Sequence, residues 1–356
     1  MARDQSFSYD GSALDVKRIG SDMGVRYILE GSVRRAASRL RITAKLIDAM
    51  SGAHLWVDRF DGISEDVFAL QDQVTGRVVG AIAPTLEQAE IGRALYKPTE
   101  SLDAYDYFLR GMAQHHRWNG SGNQDALPLF VKAIELDPAF AAAYGMAARC
   151  YVQRKAIGLP VNDLADIAEA ERLARGAGEF GKGDAGALWT GGFTLAYVVG
   201  DLDGGAAFIE SALDINPNLP LAWAASAWVK AWLGLPEEAV DHAARGIQLN
   251  PHDTQLFSMQ ASTALAHFIA GRDHDALRWA EAAVRERPNF VNGFGMIIAS
   301  AGMLDDAARA ERALVSLREG SPAFEARDLV DHNPFRRDED RRRWSEGLRR
   351  AGVLPA

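Results

Sequence analysis

The sequence predicts a mostly α chain: a solenoid of repeated helix pairs preceded by a small, truncated α/β domain. Three observations carry this reading. The stretch Leu221 to Pro251, LAWAASAWVKAWLGLPEEAVDHAARGIQLNP, reads as two short helices around a tight turn at Gly234-Leu235-Pro236. Small residues stand where those helices must approach, Ala227 on the first and Ala239 and Ala243 on the second. Copies of the unit flank it: thirty-four residues before Pro251 stands Pro217, before Trp223 stands Trp189, and before Gly234 stands Gly200. The first sixty residues, by contrast, follow the period of two that marks a half-buried strand.

In chain order, ALDVKRIGSDMG predicts a short amphipathic helix with Leu14, Ile19 and Met23 on its apolar side and Gly24 as its stop. VRYILEGSVRR, LRITAKLID and HLWVDRF predict three strands, with connections at Ala36-Ala37-Ser38-Arg39 and Ala49-Met50-Ser51-Gly52 short enough for antiparallel hairpins. The middle strand alternates, with Leu40, Ile42, Ala44 and Leu46 on one face and Arg41, Thr43 and Lys45 on the other. Period 3.6 then begins. Ser64 is the expected N-cap, with Glu65 and Asp66 where negative charge suits the helix dipole. Val67, Leu70, Val74, Val78 and Ile82 form a stripe that would cover the sheet, and Pro84 is expected to kink or end the helix. A helix, three strands and a helix leave open sheet edges, which points to a strand and helix missing before Met1. The expected divisions are an α/β domain over 1–90, a linker over 91–100, about six repeats over 101–322, and a capping helix and tail over 323–356.

All the repeats but the second, whose counterpart of Pro138 lies near Gly183, end on proline, which cannot continue a helix and pushes its predecessor out of helical geometry. DALPLFVKAIELDP places Ala126, Phe130, Ala133 and Pro138 at the spacings of Ala239, Ala243, Gly246 and Pro251. Downstream, Ala276, Ala280 and Ala283 lead to Pro288, and a looser copy has Gly302 in its turn and ends at Pro322. The loop NGSGNQ, 119–124, is expected between the helices of the first repeat, and an insertion around GLPVNDLADIAEA lengthens the second. A period near 34 with this Trp, small-residue and Pro skeleton resembles a tetratricopeptide-repeat (TPR) array. That resemblance implies a right-handed superhelix with a concave groove. Asp338 to Arg350 is expected to be the terminal capping helix.

Bulk composition excludes several classes. An apolar fraction of 48% with 24% charged residues is ordinary for a soluble folded chain, and a net charge of −9 argues against a general nucleic-acid binder. The basic runs RRAASRLR and FRRDEDRRRWSEGLRR read as solvated faces. Cys150, the single cysteine, permits no internal disulfide, which fits a cytoplasmic location. No apolar leader or spanning stretch is present, so no membrane role is expected.

No catalytic signature emerges. GAGEFGKG, 176–183, matches G-x-x-x-x-G-K, but Gly183 stands where a P-loop needs Ser or Thr and a helix precedes it, so an inter-repeat loop is expected. His115 and His116 point about 100° apart on a helix and lack further ligands, so surface or partly packed histidines are expected. His54, His242, His252, His267, His274 and His332 are isolated, and Cys150 reads as a buried structural thiol. No metal site and no cofactor are expected. With Trp223 placed on the packing side of its helix, Trp228 and Trp232 turn toward the groove, joined by Tyr197 and Phe268 from neighbouring repeats. Exposed aromatics there would anchor a protein or peptide partner; the competing reading is that they pack between repeats.

VRYILEGSVRRAASRLRITAKLIDAMSGAHLWVDRFDG, followed by EDVFALQDQVTGRVVGAIAP, resembles the C-terminal two-thirds of a TolB/FlgO-like α/β domain. With YKPTESLDAYDYFLRGM joining it to the repeats, the whole resembles the C-terminal half of proteobacterial adenylate/guanylate cyclases with TPR repeats. That family's catalytic domain needs paired metal-binding aspartates on its own sheet. No stretch here supplies them, so no cyclase residue carries over. The resemblance implies a non-catalytic interaction and regulatory segment of a bacterial signalling protein, beside a cyclase module that makes cyclic AMP. Three alternatives stay open: cyclase activity by family membership, the sensor half of a winged-helix regulator, and a stand-alone scaffold. The partner and the oligomeric state are not legible.

Overall fold

The strands form where β-branched and apolar residues alternate, and the hairpin turns fix their register. In the computed structural model, which describes residues 16–63, 67–96, 102–161, 164–322 and 324–355, β1 (Tyr27–Ala36), β2 (Arg39–Asp48) and β3 (His54–Ile63) form one antiparallel sheet in the order β1-β2-β3. The first turn is two residues long, with Ala37 in the left-handed region at φ 52°. In the second, Gly52 takes φ 79° and the Asp48 carboxylate accepts the amide N–H groups of Met50 and Ser51 at 2.8 and 3.1 Å. The sheet follows α1 (Val16–Met23), which stops at Gly24 as expected; Leu14 and Ser64 to Asp66 lie outside the described residues.

Helix α2 (Val67–Tyr96) lays Leu70, Val74, Val78 and Ile82 over Leu40, Ile42, Ala44, Trp56 and Phe60 of the sheet, which is the expected stripe. It does not end at Pro84. The helix continues to Tyr96, so residues 91–96 form its last turns where a linker was expected. Its C-terminal half supplies Glu90, which accepts a hydrogen bond from the Tyr27 hydroxyl. The chain divides into two compact units, Met1–Gly92 and Arg93–Ala356.

The second unit contains, among the described residues, six helix pairs. They are α3 (Ala104–His115) with α4 (Gly120–Leu136), α5 (Ala141–Ala156) with α6 (Leu164–Phe180), and α7 (Ala185–Thr194, prolonged by a π-turn over Leu195–Val199) with α8 (Leu202–Ile215). Then come α9 (Pro220–Trp232) with α10 (Pro236–Leu249), α11 (Leu256–Ile269) with α12 (Asp273–Glu286), and α13 (Val291–Met303) with α14 (Ala307–Gly320). A 3₁₀ turn (Ala326–Asp331) and α15 (Asp338–Arg350) follow.

Proline ends the second helices by a common geometry. Asp137, Asn216, Asn250, Arg287 and Ser321 each precede a proline, and each has left the helix with φ between −136° and −145°. That is the steric bias the proline ring imposes on the residue before it. The alanines and Gly246 of the repeat skeleton are buried at the helix crossings, and a Cβ on Gly246 would stand 2.9 Å from the Pro220 carbonyl oxygen.

Two turns differ from expectation. NGSGNQ is mostly helix: the Asn119 side chain accepts the Gly122 N–H at 2.8 Å and so caps α4, which begins at Gly120. Gly302 lies within α13, and the left-handed turn residue of the sixth pair is Asp305 at φ 56°. GAGEFGKG is the end of α6 and the loop before Asp184, which caps α7 through the Gly186 and Ala187 amides.

Candidate functional site

The expected groove lies along the first helices of the pairs, and the structure fills it. Tyr197 on the π-turn and Trp228 on α9 are each 2% exposed, and Trp232 on α9 and Phe268 on α11 are 0% exposed. None of the four is presented to solvent, which corrects the expectation of exposed anchors. Trp223, placed on the packing side, is instead only half-buried, with its ring edge-on to His242 and its Nε1 donating to the Pro217 carbonyl at 2.8 Å. Helical period identifies which residues share a face. It does not say what covers that face.

Three of the four residues are brought together. The Tyr197 and Trp232 rings stack at 5.2 Å and 7°, Phe193 stacks on Trp232 at 5.8 Å, and Trp228 leans on Trp232 at 5.4 Å. Phe268 meets instead the edge of Trp344 from α15, at 5.6 Å and 87°.

What covers these rings is the chain's own C-terminal segment. Trp232 Nε1 donates to Asn333 Oδ1 at 3.1 Å, and the Tyr197 hydroxyl bonds His332 Nε2 at 2.8 Å. The segment also satisfies carbonyls at helix ends, which have no partner within the helix. The Arg336 amide donates to the Trp232 carbonyl at 2.9 Å, and Arg343 Nε donates to the Phe268 carbonyl at 2.8 Å. Arg343 Nη2 also reaches both carboxylate oxygens of Asp273, at 2.5 and 2.7 Å. Helix α15 is thus more than the expected end cap. It packs on α13 and reaches the fifth pair through Arg343 and Trp344, while residues 332–336 ahead of it contact the third and fourth pairs.

The inner face also closes on itself. Trp118 lies against Phe257 at 5.1 Å, Asn289 Nδ2 donates to the Trp118 carbonyl at 3.1 Å, and Arg149 bonds Gln255. Ser321 Oγ donates to the Ile157 carbonyl at 3.2 Å. The first two pairs therefore touch the last two.

A polar cluster sits within this closed face. Lys155 Nζ lies 4.3 Å over the Tyr197 ring and donates to the Tyr197 carbonyl at 2.8 Å. Burial lowers its pKa to about 8, partly opposed by Asp331. Burial, reinforced by the Lys155 charge, holds His332 well below the usual imidazole range. The Tyr197 phenol is pushed up by burial, partly opposed by Asn292 Nδ2, which donates to its oxygen at 3.1 Å. Sequence reasoning missed Lys155, His332 and Asn292, because nothing local signals a contact across such separations. His115 is fully buried, where a surface or partly packed histidine was expected, and burial drives its pKa down. Cys150 is fully buried and its thiol is pushed up by burial, as expected of an inert structural cysteine. Among the described residues no group of three or more His, Cys, Asp or Glu side chains is placed to hold a metal ion, and no helix is long and apolar enough to cross a membrane.

No family profile matches the chain. A curated relative, "Putative adenylate cyclase 3" of Rhizobium meliloti (strain 1021), is 40% identical over 144 residues, which cover 40% of this chain and 24% of that protein. The match thus spans about a quarter of the relative's length. Among solved structures, the APC/C hetero-tetramer Cut9–Hcn1 superposes with a TM-score of 0.51 at 14% identity, covering 80% of this chain and 49% of that one. PilW, a type IV pilus biogenesis factor, gives 0.45 at 17% identity over 62% of this chain and 95% of its own. The helical part of the chain has the tetratricopeptide fold, preceded by a small three-stranded sheet.

Proposed function

We propose that this chain is a non-catalytic interaction and regulatory segment of a bacterial signalling protein, working in the cytoplasm beside an adenylate/guanylate cyclase module. One observation carries the interaction part: the inner face of the array already holds a peptide segment, residues 324–350, by side-chain and backbone contacts. A surface that seats a segment of its own chain is built to seat one from a partner. The partner is a protein or peptide that competes with the C-terminal segment for the ends of α9 and α11. The four inner aromatics then serve as the floor of the contact, not as solvent-exposed anchors. The partial match to a protein named an adenylate cyclase supports the cyclase link. The likeness to Cut9, crystallised in complex with Hcn1, supports a binding rather than a catalytic fold.

The test has two arms. The purified chain, given ATP or GTP with Mn²⁺, is expected to form no cyclic nucleotide; turnover abolished by a point mutation in this chain overturns the reading. In a longer protein that carries a cyclase domain together with this segment, removing residues 93–356 is expected to change the cyclase rate. An unchanged rate removes the regulatory role.

A further inference from the structure

Among the described residues the three-stranded sheet has two open edges, and both are charged: β1 carries Glu30, Arg34 and Arg35. The β3 edge carries Asp58, Arg59 and Asp61, with Arg59 paired to Asp61 at 3.0 Å and Asp58 to Arg77 at 2.9 Å. β3 also leaves Val57 52% and Ile63 53% exposed, and its pairing with β2 shifts register between Leu46 and Ile47. The β1 edge differs in that its ten residues run in unbroken register against β2; it too leaves two apolar residues exposed, Leu29 at 49% and Val33 at 67%. Leu29, Gly31 and Val33 stand opposite Leu46, Ala44 and Ile42, so they share the face that α2 covers. The helix stops short of them. Between α2 and β1 remains a groove of about 520 Å³ whose lining includes Val33, Leu40, Ile42, Leu70 and Val74.

We propose that β1 is a self-association edge, which pairs antiparallel with β1 of a second copy of this chain about a two-fold axis at Ser32. In an antiparallel ladder the outward-facing backbone groups belong to alternate residues. A symmetric pair must therefore match residues of like parity, and centring on Ser32 does so. That register sets Glu30 of each copy opposite Arg34 of the other, giving two opposite-charge pairs directly across the new ladder, where such pairs are favourable and like charges are not. It also sets Val33 opposite Gly31. A Cβ on Gly31 would meet nothing within 4 Å, so the space above it receives the exposed Val33 side chain of the second copy. Sliding the pair by two residues loses both matches: Arg34 then faces Ile28 or Ser32, and Glu30 faces Ser32 or Ala36. The partner is thus a second copy of this chain, joined into a six-stranded sheet.

Sedimentation equilibrium of the full chain over a concentration series tests this. The wild-type chain is expected to reversibly dimerise. Glu30→Arg and Arg34→Glu are each expected to shift it to monomer at the same concentration. Both side chains are at the surface, and the Glu30–Lys45 pair at 3.6 Å is a weak exposed ion pair, so circular dichroism should be unchanged. An equimolar mixture of the two variants is expected to recover dimers, because each reversal then faces its opposite. A monomeric wild type overturns the proposal, whether β1 amides are exchange-protected by some other segment or not. Dimers indifferent to both reversals, or a mixture that stays monomeric, overturn it equally.

Discussion

Trp232 is stacked on Tyr197 and Phe193, touched by Trp228, and hydrogen-bonded through both its indole nitrogen and its carbonyl to residues 333 and 336. Removing a fully buried tryptophan side chain leaves a cavity that costs about 3–5 kcal/mol. Trp232→Ala is therefore expected to lower the denaturation midpoint strongly, whereas Trp223→Ala, on the half-buried residue of the same helix, is expected to lower it far less. Equal losses in a urea titration would contradict this placement. Lys155 gives a pH signature in the same cluster. Its native pKa is about 8 against an ordinary value of 10.5, so between those limits the unfolded chain holds a proton that the native chain has released. Stability from this group therefore rises with pH across that window. Lys155→Met is expected to remove the rise in a series of thermal melts from pH 8 to 10. The sign for His332 is related: it stays neutral when folded, so the unfolded chain takes up its proton first and stability falls as pH drops below the ordinary value of 6.5.

Elements that depend on neighbouring residues were legible in the sequence. The proline after five of the six second helices, the alternation of β2, the α2 stripe and the bounds of α15 all follow from local sterics or a single periodicity, and all stand in the structure. What misled was composition read without capping. NGSGNQ looks like a loop until Asn119 is seen to cap a helix, and Pro84 looks like a stop although the helix continues through it. Gly302 is the instructive case, because its role is a close approach rather than a turn. A Cβ there would collide with the Gly347 carbonyl oxygen, and a Cβ on Gly347 would stand 2.5 Å from the Ala299 carbonyl oxygen. The backbones of α13 and α15 meet at these two glycines with no side chain between them. Backbone cannot give way as a flexible side chain can, so Gly302→Ala is expected to undock α15 while the earlier pairs hold. Limited proteolysis should then cut between residues 324 and 350, with little loss of total helicity. Resistance equal to wild type would mean that the helices can slide apart to admit a methyl group.

At the scale of the second unit, a period of 34 residues predicts stacked pairs but not how far the stack curls or what lies inside it. The contacts that decide this join Trp118 to Phe257, Tyr197 to His332 and Ser321 to Ile157, across separations that no local pattern encodes. Two roles for residues 324–356 then make different predictions. A terminal cap shields only the last pair, whereas an occupant of the inner face also shields the ends of α7, α9 and α11. Hydrogen exchange on a chain lacking residues 324–356 separates them. Loss of protection is expected in 220–232 and 256–269 as well as in 291–303, because the Trp232 carbonyl loses its Arg336 donor, the Phe268 carbonyl loses its Arg343 donor and the rings lose their cover. Should that chain not fold, His332→Ala with Asn333→Ala breaks the contacts to Tyr197 and Trp232, together with the edge contact of His332 to Phe324. Exchange is then expected to rise at those two helix ends while α15 stays protected. Exchange confined to 291–303 would make the segment a cap alone, and the inner face would then be core with no occupant for a partner to displace.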